Sequence, residues 1–354
     1  MKQELILKNI RFITGPCAVE SQKQVDKIAE SLKDSSYCDL FRGGCWKPRT
    51  TPGGFEGYGY QACQNLEQMS KKYGLPWCTE IADEKQYQTA KEYGCDAFWI
   101  GARTVSSPFA MANLAQAMFS ETKPILIKNP ISPDIKLWEG AIMRLQIQNC
   151  HNIGLIFRGF NTGAEYRYRN TPVWTILFEM RRRYPDIPIF IDPSHIAGKR
   201  EYIPEIIKTA ISFGFDRFMI EVHNDPDKAL TDSAQQLTPG ALNMILNTAS
   251  INPASAIQEL ETVRNSIADI DNAIIELLAQ RKEAVKRIAD IKSANNFDIE
   301  QPKQYEKVIE RVLSKAHKHM LGDNFIVNLY MQIHEWSCEC QRIHLRTMKQ
   351  NGSK

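Results

Sequence analysis

A thiol, an imidazole and a carboxylate stand at the ends of three short apolar runs that lie far apart in the chain. Cys17 follows Phe12-Ile13-Thr14, His195 follows Ile191-Asp192-Pro193-Ser194, and Glu221 follows Met219-Ile220. Asp232, just past the last run, adds a second carboxylate of the kind that binds metals. Other runs end in cations: Arg42, Lys47 and Arg49 near the second, Arg103 after the fourth, Lys128 on the fifth and Arg158 on the sixth, while the third carries Glu80. Like charges crowded together repel unless anions neutralise them. If these positions converge, the chemistry they predict is one divalent metal beside substrates carrying more than one phosphate or carboxylate.

The elements that must bring them together recur at about 30-residue intervals, the size of one strand–helix unit. Strand-type runs fall at 11–19, 40–46, 76–81, 97–102, 124–129, 153–160, 187–195 and 217–223. They are continuous rather than alternating, as strands covered on both faces require. Helix-type stretches separate them, at 22–33, 60–73, 84–93, 109–120, 138–149, 173–184 and 203–213. Three of these stop at Tyr73-Gly74, Tyr93-Gly94 and Phe213-Gly214, a repeated C-cap signal. Eight such units predict an α/β fold, a (β/α)8 TIM barrel over residues 1–250, whose closure brings the first, seventh and eighth strands side by side. An open doubly wound sheet would carry a glycine-rich phosphate loop after its first strand, and none is present.

Composition excludes other classes. The 354 residues suffice for two domains. A net charge of +3 is too small to argue for nucleic acid or a membrane surface, and no apolar run is long enough to span a bilayer. The start lacks a signal-peptide pattern, and nine scattered cysteines fit a reducing, cytoplasmic setting. Cys338-Glu339-Cys340 and His317-Lys318-His319 have poor metal spacing and read as surface helix.

Several segments together resemble the metal-dependent 3-deoxy-D-arabino-heptulosonate 7-phosphate (DAHP) synthases of the shikimate pathway. They are Gly15-Pro16-Cys17-Ala18-Val19-Glu20-Ser21, Phe41-Arg42-Gly43-Gly44, Lys47-Pro48-Arg49-Thr50, Ile100-Gly101-Ala102-Arg103, Ile127-Lys128, Asp192-Pro193-Ser194-His195, Glu221-Val222-His223 and Ala229-Leu230-Thr231-Asp232. The resemblance implies condensation of phosphoenolpyruvate with erythrose 4-phosphate, with release of phosphate. It implies Cys17, His195, Glu221 and Asp232 as metal ligands. Arg103, Lys128 and Arg158, helped by Arg42, Lys47 and Asp192, would bind phosphoenolpyruvate, and Arg49 and Thr50 the tetrose. Lys47 would donate a proton, and Glu80 would orient a cation or water. A mixed S/N/O site suits Mn first, or Fe, Co or Zn, better than Mg. A sister family that takes arabinose 5-phosphate shares this pattern but typically carries an asparagine in the loop around Lys47-Pro48-Arg49-Thr50. The chain begins almost at its first strand, so no regulatory domain is expected before the barrel.

Residues 251–256 read as a breaker-rich linker, and 257–354 as an all-α three-helix domain without strand signals. The first helix, about 39 residues and about 60 Å long, is too long to bury alone. Its stripe runs Ile267, Ile270, Ile274, Leu277, Val285 and Ile288, and is interrupted by Arg281 and Lys292 on one face. Arg264 lies about 90° around the helix, so it would reach that face most easily from a second copy. Ser337 and Gln341 share a face of the third helix. Spacing alone leaves open a dimerisation arm with solvated charges.

Leu260-Glu261-Thr262-Val263-Arg264, Ile270-Asp271, Leu277-Leu278-Ala279-Gln280-Arg281 and Ile291-Lys292 resemble the all-helical chorismate mutases, which are intertwined homodimers. That resemblance implies Arg264 of one subunit and Arg281 of the other on the two carboxylates of chorismate. Lys292 and Gln341 would sit on the breaking ether oxygen, with Ser337 as a lesser contact. Where the family has an acidic residue and then Arg-Glu, this chain has Gln301 and then Gln304-Tyr305, which puts the contacts to the substrate hydroxyl in question. A bifunctional homodimer is therefore expected, with prephenate inhibiting the barrel through the helices. The alternative is a helical domain that only dimerises or senses ligand.

Overall fold

The computed structural model describes residues 7–48, 53–162, 167–249, 254–319 and 321–351, with side chains described except at 249, 254–266 and 349–351. The chain divides into two compact units, Met1–Ile251 and Asn252–Lys354.

The first unit is a closed barrel of eight parallel strands in chain order, β8 pairing back with β1. The strands are β1 (Phe12–Gly15), β2 (Leu40–Arg42), β3 (Trp77–Ile81), β4 (Ala97–Ile100), β5 (Ile125–Lys128), β6 (Ile153–Phe157), β7 (Ile189–Ile191) and β8 (Phe218–Glu221). Between and after them run α1 (Gln22–Leu32), α2 (Tyr60–Tyr73), α3 (Glu84–Glu92), α4 (Ala102–Val105), α5 (Pro108–Ala117), α6 (Ile135–Ile147), α7 (Trp174–Arg183), α8 (Pro193–Ala197), α9 (Ile203–Ser212) and α10 (Pro239–Ala249). The strands are shorter than the apolar runs. β7 stops at Ile191 because Asp192 caps a new helix, accepting the His195 N–H, and Pro193 supplies its first residue. Gly74, Gly94 and Gly214 all take positive φ, ending their helices as their spacing indicates.

Alternation along each strand sorts side chains into two layers. Ile13, Leu40, Cys78, Trp99, Leu126, Ile156, Phe190 and Met219 fill the barrel, and Leu7 and Ile10, before the first strand, complete that cluster. Their neighbours, such as Phe41, Phe98, Ile127 and Ile220, pack outward in the layer beneath the helices. Each fully buried apolar side chain contributes about 1.5–3 kcal/mol. The inner face then turns polar within one step: Leu40 is followed two residues on by Arg42, Cys78 by Glu80, Leu126 by Lys128, Ile156 by Arg158, Phe190 by Asp192 and Met219 by Glu221. The C-terminal mouth is therefore built from the same face as the core.

The second unit holds α11 (Ala254–Ala294), α12 (Pro302–His317) and α13 (Asp323–Asn351). Its small core includes Val285, Ala289, Ala316, Ile326 and Cys338. Cys338 is thus buried rather than on a surface, because α13 turns that face toward its neighbours. Ile267, Ile270, Ile274 and Leu277 remain 48–62% exposed, so this chain leaves most of the α11 stripe uncovered. Among the described residues no helix is long and apolar enough to cross a membrane.

Candidate active site

Three donors meet at the barrel mouth. Ligand atoms of Cys17, Glu221 and Asp232 all lie within 4.8 Å of one another. Register sets Glu221 opposite Gly15, two residues before Cys17. The chain can make this approach because Gly15 and Gly44 lack side chains. A Cβ at Gly15 would lie 2.1 Å from the Arg42 carbonyl oxygen, and one at Gly44 2.3 Å from that of Cys17. His195 reaches the group from α8: its Nε2 is 3.8 Å from Glu221 Oε1, and its Nδ1 is 2.8 Å from Asp192 Oδ2. Nδ1 lies beside that carboxylate but makes no hydrogen bond among the described residues, and Nε2, turned to the donor group, can offer a metal its lone pair. The four residues therefore fit a divalent ion of the S/N/O-binding class.

The surroundings fix the charges. Burial, then the charge of Glu221, push the Cys17 thiol up to about 12. Lys47 Nζ donates to Cys17 Sγ at 3.0 Å, and Cys17 Sγ to Asp232 Oδ2 at 3.3 Å. Burial would raise the Glu221 carboxyl, but His195 and Arg42 outweigh it and hold it below its ordinary value. Burial likewise opposes ionisation of Asp192, yet His195 and Lys128 hold it well below the carboxylate range. His195 itself is lowered, by burial first, so it is neutral near pH 7.

A cavity of about 730 Å³ opens beside these donors, and Lys47, Glu80, Arg103, Lys128, Arg158 and Arg169 line it together with His195 and Asp232. Glu80 accepts the indole N–H of Trp99 at 2.9 Å. Burial pulls the Arg158 guanidinium down to about 10; Asp192 opposes this, while Arg169 and Arg103 add to it. Such a cluster is relieved by an anion.

Two expected substrate contacts sit elsewhere. Arg42 is buried, pairs with Glu221 Oε1 at 2.9 Å and lies over the Trp99 ring, off the cavity wall. It shares the inner-face step of Glu80 and Lys128, but its guanidinium turns to Glu221. Asp192 is fully buried and pairs with Lys128 Nζ at 3.1 Å, so it orders cations and does not line the cavity. Arg49 and Thr50 lie outside the described residues. Arg169, Gln235 and Gln236 escaped the reading of the sequence. Arg169 donates to Asp232 Oδ1 at 3.0 Å, and Gln235 Nε2 to Glu221 Oε2 at 2.6 Å. Their only sequence signal is adjacency to the mouth.

In the helical unit Arg281 donates to Ser337 Oγ, and Ser337 Oγ to the Ile333 carbonyl. Gln341 is buried; its Nε2 donates to the Ser337 carbonyl at 3.4 Å, and its Oε1 has no partner among the described residues. Lys292 Nζ donates to the Ile299 carbonyl at 2.6 Å. The side chain of Arg264 lies outside those described. Tyr305 packs on His334 with ring centroids 4.8 Å apart, and Glu300 pairs with Arg342.

Residues 7–252 match the model of the DAHP synthetase I family, and residues 263–342 that of chorismate mutase type II. A phospho-2-dehydro-3-deoxyheptonate aldolase of Thermotoga maritima is 33% identical over 228 residues, which span 64% of this chain and 64% of that one. A 2-dehydro-3-deoxyphosphooctonate aldolase of Desulfatibacillum aliphaticivorans is 26% identical over 252 residues, 66% of this chain and 89% of that one. The crystal structure of a DAHP synthase from Thermotoga maritima superposes with a TM-score of 0.60 at 28% identity, covering 68% of each chain.

Proposed function

Because the chain belongs to the DAHP synthetase I family, we propose that its barrel condenses phosphoenolpyruvate with erythrose 4-phosphate and water to DAHP and phosphate, and that its helical unit converts chorismate to prephenate. One observation carries the first half. The Cys17–Glu221–Asp232 donors, with His195 beside them, open onto a cavity walled by Arg103, Lys128 and Arg158. The donors suit one metal cation, and two anionic substrates are what such a cationic wall neutralises.

Cys17, His195, Glu221 and Asp232 would hold the metal, with Mn favoured and Fe, Co or Zn compatible. Bound there, it would supply Lewis acidity toward the aldehyde oxygen. Arg103, Lys128 and Arg158 grip the phosphate and carboxylate of phosphoenolpyruvate and fix its enol carbon for attack on the aldehyde carbon; water adds to the carbon bearing the phosphate, and cleavage of that C–O bond releases inorganic phosphate. Lys47 delivers a proton to the oxygen that becomes a hydroxyl, and Glu80, oriented by Trp99, positions a cation or water. Arg42 neutralises Glu221 from behind. Arg49 and Thr50 hold the tetrose.

The sister reading, arabinose 5-phosphate as acceptor, is supported by relatives named for the octonate product. Lys47-Pro48-Arg49-Thr50 and the heptonate relative favour the tetrose. Product analysis with each aldose, with and without EDTA, decides. Heptulosonate formation that EDTA abolishes supports the proposal, octulosonate alone transfers the chain to the sister activity, and condensation unaffected by EDTA removes the metal from the account.

In the helices, Arg281 and Arg264 of a second copy clamp the carboxylates of chorismate. Lys292 and Gln341 stabilise charge on the ether oxygen, and Ser337 orients Arg281. The exposed α11 stripe supports a homodimer. The fusion itself supports prephenate as an inhibitor of the barrel, an equilibrium biased by ligand. If removing the residues after 250 left both condensation rate and prephenate response unchanged, that regulation would be wrong. The replacements Gln301, Gln304 and Tyr305 favour a second reading, in which the helices sense chorismate-type ligands without converting them. The nine free thiols support a reducing, cytoplasmic setting.

A further inference from the structure

One short segment, Asp232 to Gln236, handles three of the four candidate metal ligands. It supplies Asp232 itself. Gln235 Nε2 donates to Glu221 Oε2 at 2.6 Å, and Gln236 Oε1 accepts the backbone N–H of Cys17 at 3.0 Å. Consecutive side chains thus tether ligands from β8 and from the loop after β1. Both amides are buried, at 1% and 0% exposure.

The Gln235 amide cannot turn over. Its oxygen accepts from Arg169 Nη1 at 2.8 Å, while its nitrogen faces a carboxylate, so the reversed amide would set like partners together. The same Arg169 Nη1 donates to Asp232 Oδ1 at 3.0 Å. A continuous relay therefore runs Asp232–Arg169–Gln235–Glu221 and ends on Arg42 at the other Glu221 oxygen. The turn is held independently: Gln236 Nε2 donates to the Thr231 carbonyl at 2.9 Å, and Arg200 to that of Ser233 at 2.7 Å. Asp232 takes φ 48°, ψ 37°, a left-handed conformation that a non-glycine residue keeps only when its surroundings fix it.

We propose that Gln235, locked by Arg169, is the positioning residue that sets the carboxylates of Glu221 and Asp232 for metal capture. The inference rests on the metal-dependent reading above. Outer-sphere partners of this kind orient ligands before the ion arrives, and their loss typically weakens binding about 10–100-fold.

The test is Co(II) titration of the full-length protein, following the thiolate-to-metal and d–d absorption. Gln235→Met keeps length and burial but removes both hydrogen bonds. Arg169→Ala cuts the relay at its half-exposed end, where the fold has little at stake, and Arg169→Lys restores the charge. Gln235→Met and Arg169→Ala should each raise the Co(II) Kd about 10–100-fold and shift the d–d bands. The thiolate band should persist, and Arg169→Lys should recover part of the loss. The double variant should lose no more than the weaker-binding single one, since the two act as one unit. Parent-like Kd and d–d spectra in Gln235→Met and Arg169→Ala would overturn the relay alone. A parent protein without a thiolate band would overturn the metal reading instead. If Gln235→Met does not fold, the two Arg169 variants decide.

Discussion

The ammonium of Lys47 lies 3.0 Å from the sulfur of Cys17 and 3.4 Å from its carbonyl oxygen. Burial would lower Lys47, but Cys17, Glu221 and Glu80 outweigh it and raise it, so the ammonium is retained. Burial pushes the thiol up to about 12, so at neutral pH Cys17 carries its proton. A metal binds thiolate and must displace that proton. His195 is already neutral above its ordinary 6.5 and supplies none. Calorimetry in buffers of different ionisation enthalpy should therefore count one proton released per metal. The Kd should fall about tenfold per pH unit from about 6.5 to 8. Release of no proton would contradict the assignment of Cys17.

Arg42 and Glu221 form an ion pair with both side chains at most 1% exposed. Replacing Arg42 with Met strands a buried carboxylate, which typically costs about 3–5 kcal/mol. Denaturant unfolding of the metal-free protein should show a loss of this size, whereas the half-exposed Arg169 replaced by Ala should show far less.

Acid should destabilise the metal-free barrel through two groups acting in the same direction. The folded value of Asp192 lies below its unfolded one, so its contribution is complete above about pH 4–5 and is lost as pH falls through the folded value. His195 is also lowered, so below 6.5 the unfolded chain takes up a proton that the folded one resists. Thermal midpoints should stay nearly level from about pH 6.5 to 8, decline below that, and drop steeply under about pH 4. Asp192→Asn should blunt the steep part; an unchanged acid limb would contradict the assignment.

How much of this the sequence carried depends on periodicity. The two-residue step links Leu126 to Lys128 and Met219 to Glu221, so strand-end chemistry is legible wherever a strand is. For Arg42 the step gives the face but not the partner, because types and spacing do not tell that its guanidinium turns to Glu221. His195 was found by motif, yet its short helix α8 was not, since five residues are too few to show a 3.6-residue period. Gln235 and Gln236 were missed because a buried amide on a turn has no pattern at all. The exposed α11 stripe was legible as apolar spacing, while its lack of a cover within the chain needed coordinates.

The helical unit separates cleanly by mutation. Arg281→Ala and Lys292→Ala should each reduce chorismate conversion by about 10²–10³-fold and leave condensation in the barrel intact. Ile274→Asp, on the uncovered stripe, should shift sedimentation toward monomer and abolish chorismate conversion along with it. Conversion unaffected by either cation would move the helices to the sensing reading.

The metal reading requires that Cys17, His195, Glu221 and Asp232 share one ion. Anomalous diffraction from crystals soaked in Mn, collected on both sides of its absorption edge, tests this most directly. One peak is expected at the barrel mouth, with the Cys17 sulfur, the His195 Nε2 and both carboxylates at bonding distance. A peak elsewhere, or none in crystals with that mouth accessible, would contradict it.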